Sequence, residues 1–161
     1  MPVTVNLRQL EKRKELRMEG EVPAAEYAAD FKDELIRLEN PMRYALEVQH
    51  QGDSILVTGS VATEASCECA RCLRPFPFPV SVENLAALVP LTGEEAPPRD
   101  GDFADLTPLL REDIYLGLPA NPLCRPDCRG LPQMAVARDS RLGGSKSDGP
   151  SPWAALDRIK L

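Results

Sequence analysis

At 161 residues the chain has the length of one ordinary domain with tails, enough to bury a core of its own. Aromatic residues make up only 5%, so Leu, Val, Ile and Ala must fill that core, and 16 prolines argue against a helix bundle and for short strands and turns. A net charge of −6 excludes a uniformly basic nucleic-acid binder. The charge is uneven, however: Leu7–Arg17 carries Arg8, Lys12, Arg13, Lys14 and Arg17, whereas Glu94–Asp113 is acidic.

In chain order, Val3, Val5 and Leu7 alternate with polar residues and predict a strand over Pro2–Leu10, followed by a charged loop or helical turn at Glu11–Glu15. Leu16–Val22 alternates again, and the Ala-rich Pro23–Asp30 suits a short helix that starts at its proline. A hairpin follows: Tyr44, Leu46 and Val48 alternate on one arm, His50–Asp53 supplies the turn, and Ile55, Val57 and Val61 return. Beyond the cysteine segment Cys67–Phe76, alternation at Phe78, Val80 and Val82 predicts a further strand over Pro77–Val89. Leu91–Asp102 reads as an acidic loop, in which Pro97 and Pro98 interrupt any regular carboxylate spacing for a metal. Asp105–Gly117 reads as a helix with an apolar face of Leu106, Leu109, Leu110 and Ile114. The pattern predicts one α+β domain over residues 1–139 with a mainly antiparallel β-sheet core and a few short helices. A flexible Gly/Ser-rich linker over 140–151 and a short C-terminal helix over 152–161 then follow. Trp153, Leu156 and Ile159 share a face of that last helix and must bury it, either on the chain's own domain or, the sharper option, on a partner.

The N-terminus lacks the ~7–15 apolar residues of a secretory signal, and no stretch approaches the ~20 of a membrane span. The expectation is a cytoplasmic protein with no membrane partner and with reduced cysteines. The chain has one histidine, His50, at the expected turn, and no G-x-S-x-G, P-loop or G-x-G-x-x-G. This residue set points to a binding protein, with no catalytic residues and no small-molecule substrate.

The sharpest feature is C-E-C-A-R-C, holding Cys67, Cys69 and Cys72, with C-R-P-D-C at Cys124 and Cys128. A C-x₂-C turn aims two thiolates at one ion, and a second clip completes a tetrahedron, so Cys69, Cys72, Cys124 and Cys128 make a candidate zinc site. Cys67 lies two positions before Cys69, on the same side of a strand, and can replace one of the four. Against this stands the reading of small buried thiols. The second clip is C-x₃-C, no second histidine exists, and a Leu/Val core of this size has no evident need of a metal. The balance therefore leans to unmetallated thiols, with zinc as the alternative. A thiol-dependent redox protein using Cys69 and Cys72 is a rival of another class, although no βαβ pattern surrounds the pair. A general protein-interaction module is a third. Arg71, Arg74, Arg125 and Arg129 flank the cysteines and are candidate contacts to RNA or a protein partner, as is Trp153.

The segment Cys67–Phe76, C-x-C-x-R-C-L-x-P-F, resembles the central signature of the bacterial YceD family, described as large ribosomal RNA subunit accumulation proteins. VNLRQLEK (Val5–Lys12) resembles the family's opening strand, LPANPLCRPDCRGL (Leu118–Leu131) its second signature, and PWAALDRIKL (Pro152–Leu161) its closing helix. The family often continues with C-P-x-C-G, where this chain reads Pro132-Gln133-Met134. The resemblance implies a non-enzymatic role in large-subunit biogenesis, through accumulation or processing of 23S rRNA. Its implied partners are the 23S rRNA precursor or a large-subunit ribosomal protein.

Overall fold

A computed structural model describes residues 2–132. The expected domain end at 139, the linker over 140–151 and the closing helix with Trp153 lie outside the described residues.

The chain opens with a short strand, β1 (Thr4–Asn6), and turns at once into a helix, α1 (Leu7–Arg13). Asn6 makes the switch: its backbone is extended, and its side-chain oxygen accepts the Gln9 N–H at 3.0 Å, which caps the first turn. Lys14, with φ 66°, closes the helix by donating its N–H to the Leu10 carbonyl. The expected strand over Pro2–Leu10 therefore ends at Asn6, and Arg8, Lys12 and Arg13 ride on a helix.

The main sheet is antiparallel. Its strands are β2 (Glu15–Val22), β3 (Ile36–Arg37), β4 (Met42–Gln51), β5 (Ser54–Glu68) and β6 (Pro75–Pro90). A short helix, α2 (Ala24–Tyr27), follows Pro23 as expected. The hairpin β4–β5 turns on Gly52-Asp53, with Gln51 opposite Ser54 and Gly52 at φ 63°, which suits a two-residue turn. β5 is the axis: β6 pairs along its whole length, while β4 takes the first half of the other side and β3 the end near Cys67. At roughly 3.3 Å per residue, β5 holds its two ends roughly 45–50 Å apart. A bulge at Gly59/Val61 shifts the β5–β6 register. It explains why the inward residues of β6 run Val80, Val82 and then Leu85, Val89. Gly59 sits at φ 144°, and a Cβ there would meet the Ala45 carbonyl at 2.1 Å, so only glycine fits.

The acidic loop contains a small ribbon that short-range alternation does not reveal. β7 (Arg99–Asp100) pairs with β8 (Phe103–Asp105), which pairs with β1. Helix α3 (Thr107–Leu116) then lies against β5 and β6. Asp105 accepts the Thr107 N–H at 2.9 Å, and the Thr107 hydroxyl accepts the Val3 N–H at 2.8 Å, so one turn ties α3 to the N-terminus. Leu106, Leu110 and Ile114 join Val5, Leu10, Val48, Ile55 and Val57 in one core between the helices and the inner sheet face. This architecture is the expected α+β class with a mainly antiparallel sheet. Among the described residues no helix is long and apolar enough to cross a membrane.

Candidate functional site

The site lies at the end of β5 remote from the Gly52 turn. β5 ends at Glu68, and the chain must reverse within Cys69–Arg74 to enter β6. The Cys69 N–H donates to the Arg74 carbonyl, and the Leu73 N–H to the Cys69 carbonyl, both at 2.9 Å. Closing this loop puts Leu73 at φ 60°, a conformation that costs an ordinary L-residue roughly 1–2 kcal/mol. The loop turns Cys69 and Cys72 to one side.

The second clip arrives from α3. Gly117 packs against Val80 of β6, where a Cβ would approach the valine to 2.7 Å, and the chain then runs back toward the knuckle. The Pro122 carbonyl accepts the Ala70 N–H at 2.8 Å, and the Cys128 N–H donates to the Arg125 carbonyl at 3.1 Å to form the second turn. Gly130, at φ 90°, comes close to the Arg71 backbone. Arg71 bolts the clips together, its Nη1 donating to the Cys128 carbonyl at 2.9 Å.

These constraints bring the sulfurs of Cys69, Cys72, Cys124 and Cys128 within 4.8 Å of one another. Cys69 and Cys128 are 3.7 Å apart, as are Cys72 and Cys124. A tetrahedral zinc with Zn–S bonds of about 2.3 Å has S···S edges of about 3.8 Å, so the donor set fits such an ion in chemistry and size. The missing C-P-x-C-G leaves no deficit, because the first clip and the C-x₃-C clip already supply four sulfurs.

Amide groups are aimed at one of the sulfurs. Backbone hydrogen bonds led by that of Cys124, and including those of Cys72 and Arg71, bring the Cys69 thiol down to about 6 in spite of its desolvation. Cys124 is pushed up to about 12 by desolvation and by its thiol neighbours. Without a cation the proton is thus held less tightly on Cys69 than on Cys124. A metal would bind the thiolate forms and release protons on binding, the ordinary linkage of thiolate ligation.

Cys67 takes another role. It stands inside β5 with its side chain in the hydrophobic core, outside the group of four, and burial pushes its thiol up. His50 lies in β4 opposite Ile55, roughly 40 Å along β5 from the cysteines, which removes any Cys–His pair. Among the flanking arginines, Arg125 pairs loosely with Asp127 at 3.7 Å, whereas Arg74 and Arg129 are exposed with no side-chain partner among the described residues. The acids of 94–102 form no ligand cluster among the described residues. Sequence reading missed the bolt role of Arg71; its place inside the C-x₂-C turn was the available signal.

Fold and site together define a class: an antiparallel β-domain whose long central hairpin is closed by a four-cysteine knuckle. The family described as "Large ribosomal RNA subunit accumulation protein YceD" matches residues 57–160, well over half of the chain. The chain belongs to the YceD family. It is 34% identical over 120 residues to uncharacterized proteins of Mycobacterium tuberculosis and Mycobacterium bovis, a stretch that is 69% of this chain and 58% of theirs. An uncharacterized protein of Mycobacterium leprae is 29% identical over 103 residues, covering 56% of this chain and 46% of that one. The chain thus spans about half the length of these relatives. No solved structure matches it significantly.

Proposed function

We propose that this protein is a non-enzymatic factor in large ribosomal subunit biogenesis that supports accumulation or processing of 23S rRNA in the cytoplasm. Family membership is the observation that carries this reading. The cysteine centre has a structural part in it: Cys69, Cys72, Cys124 and Cys128 hold one zinc that clasps two distant segments. The 3.7 Å sulfur edges support that assignment, and they reverse the balance struck from spacing alone. Arg74 and Arg129, with Arg125 beside them, then form a small basic rim fitted to phosphate or to an acidic partner surface. The partner is the 23S rRNA precursor or a large-subunit ribosomal protein.

Deleting the gene in the host should lower mature 23S rRNA relative to 16S and deplete large subunits in a gradient profile. Unchanged ratios and profile would refute the role. Elemental analysis of protein purified without chelator should give about one zinc per chain, the stoichiometry of a single four-thiolate site. Cys69→Ser and Cys128→Ser should abolish it, and Cys67→Ser should retain it. Zinc-free protein, or zinc that survives both ligand substitutions, would retire the metal assignment.

A further inference from the structure

The outer edge of β6 is divided into two halves of opposite character. The Cys69–Arg74 backbone bond fixes which residues of β6 turn their backbone groups toward β5, namely Phe76, Phe78 and Val80. Pro75, Pro77 and Pro79 therefore point their nitrogens at the free edge, where no N–H is available to an incoming strand. Beyond the bulge, the bond from the Leu91 N–H to the Asp53 carbonyl resets the alternation. Val89 and Ala87 face β5 there, and Ala86 and Leu88 turn their N–H and C=O groups outward. Among the described residues no strand pairs with that edge. Three prolines thus guard one half, whereas in the other Pro90 closes only the end of the strand and Ala86 and Leu88 are left open.

The open half faces a groove of about 290 Å³ between β6, the 94–98 loop and the first turns of α3. Leu106 forms its floor, Leu109 and Pro97 line it, and the side chain of Leu88 is 64% exposed beside it. Its charged lining residues are Glu94, Glu95, Asp105 and Glu112, and no cation is among them. Apolar walls, a strand edge with free N–H and C=O groups, and a rim of one sign define the occupant. We propose that this groove receives an extended cationic segment of a partner protein, added as a strand along Ala86–Leu88, with aliphatic side chains in the groove and Lys or Arg on the acidic rim. Phosphate-bearing RNA is disfavoured there by the same carboxylates. Only the placing of this partner among large-subunit components rests on the reading above; the groove and the cysteine centre are separate sites.

The test uses the full chain and a fluorescent ten-residue peptide of alternating Leu and Lys, read by anisotropy and by amide chemical-shift changes. The peptide should bind and shift residues 86–90 and 94–98. Three controls should fail to bind: a Ser/Lys peptide, a Leu/Glu peptide, and a Leu/Lys peptide N-methylated at alternate amides. Reversing two rim charges, Glu94→Lys with Glu112→Lys, should weaken binding about tenfold or more. Glu64→Lys, outside the groove, should leave it unchanged. Cys69→Ser should also leave it unchanged, which separates this result from that of the metal centre. Equal binding of the Ser/Lys or N-methylated peptide, an unaffected double reversal, shifts that map elsewhere, or displacement of the peptide from these residues by an RNA oligonucleotide would each overturn the proposal.

Discussion

Tyr27 is the polar pin of the loop that carries β3. It is 1% exposed, donates its hydroxyl proton to the Asn40 carbonyl at 2.8 Å, and lies 3.1 Å from the Thr63 hydroxyl. Burial raises its phenol above the ordinary value of 10.0, only partly countered by Thr63. The sign of the linkage follows. Below pH 10 the phenol is protonated in both folded and unfolded chains, so its stabilising effect is fully present. As pH rises, the unfolded chain ionises first, and stability is lost up to and through the folded value. Tyr27→Phe should cost about 0.5–1.5 kcal/mol near neutrality, the usual net worth of such a bond, and should shallow the alkaline fall in Tm. Tyr115, also raised by burial, keeps part of that fall. An alkaline limb identical in the variant would show that Tyr27 ionises freely in the fold.

The elements that were legible in the sequence are those whose signal is long. Ten residues of β4 and the first arm of β5 alternate cleanly, and Gly52 marks their turn, so the hairpin could be read directly. The apolar face of α3 recurs at helical spacing and was equally plain. α1 was hidden because Val3, Val5 and Leu7 continue an alternation across the cap, and a seven-residue helix is too short to establish a period of its own. Asn6 was the only local clue, and its force depends on a backbone angle that the sequence does not print. β7 and β8 are too short for alternation to register and exist because β1 offers them an edge. For the cysteines, spacing nominated the right four but could not bring them together. Their convergence depends on the return of the chain after α3, fixed by the Ala70–Pro122 and Arg71–Cys128 bonds. Cys67 was grouped with them through strand parity, which holds only to Glu68, where β5 ends and Cys69 enters the loop.

How far the metal matters to the protein follows from where the core lies. In isolated zinc-finger peptides the ion supplies roughly 10–16 kcal/mol, and those chains have no fold without it. Here the buried cluster runs from Val3 to Ile114 and includes Cys67 but none of the four gathered cysteines. The sheet, α1 and α3 therefore bury their apolar faces on one another independently of the knuckle. What depends on the centre is the approach of two segments, Cys69–Arg74 and the chain from Leu118 to Gly130. Among the described residues, a few cross-links hold them, chiefly Ala70 to Pro122 and Arg71 to Cys128. Chelation of zinc-loaded protein should accordingly leave the β-sheet circular dichroism almost intact and lower Tm without abolishing the transition. Hydrogen exchange should accelerate in those two segments while Val48, Val57 and Ile114 stay protected. Arg71→Ala should reproduce part of this in the loaded protein and weaken zinc binding by roughly 10–100-fold, the usual effect of removing a group that orients ligands from behind. Global unfolding on chelation would mean instead that the knuckle nucleates the sheet, and that β5 and β6 cannot hold their register without a closed end.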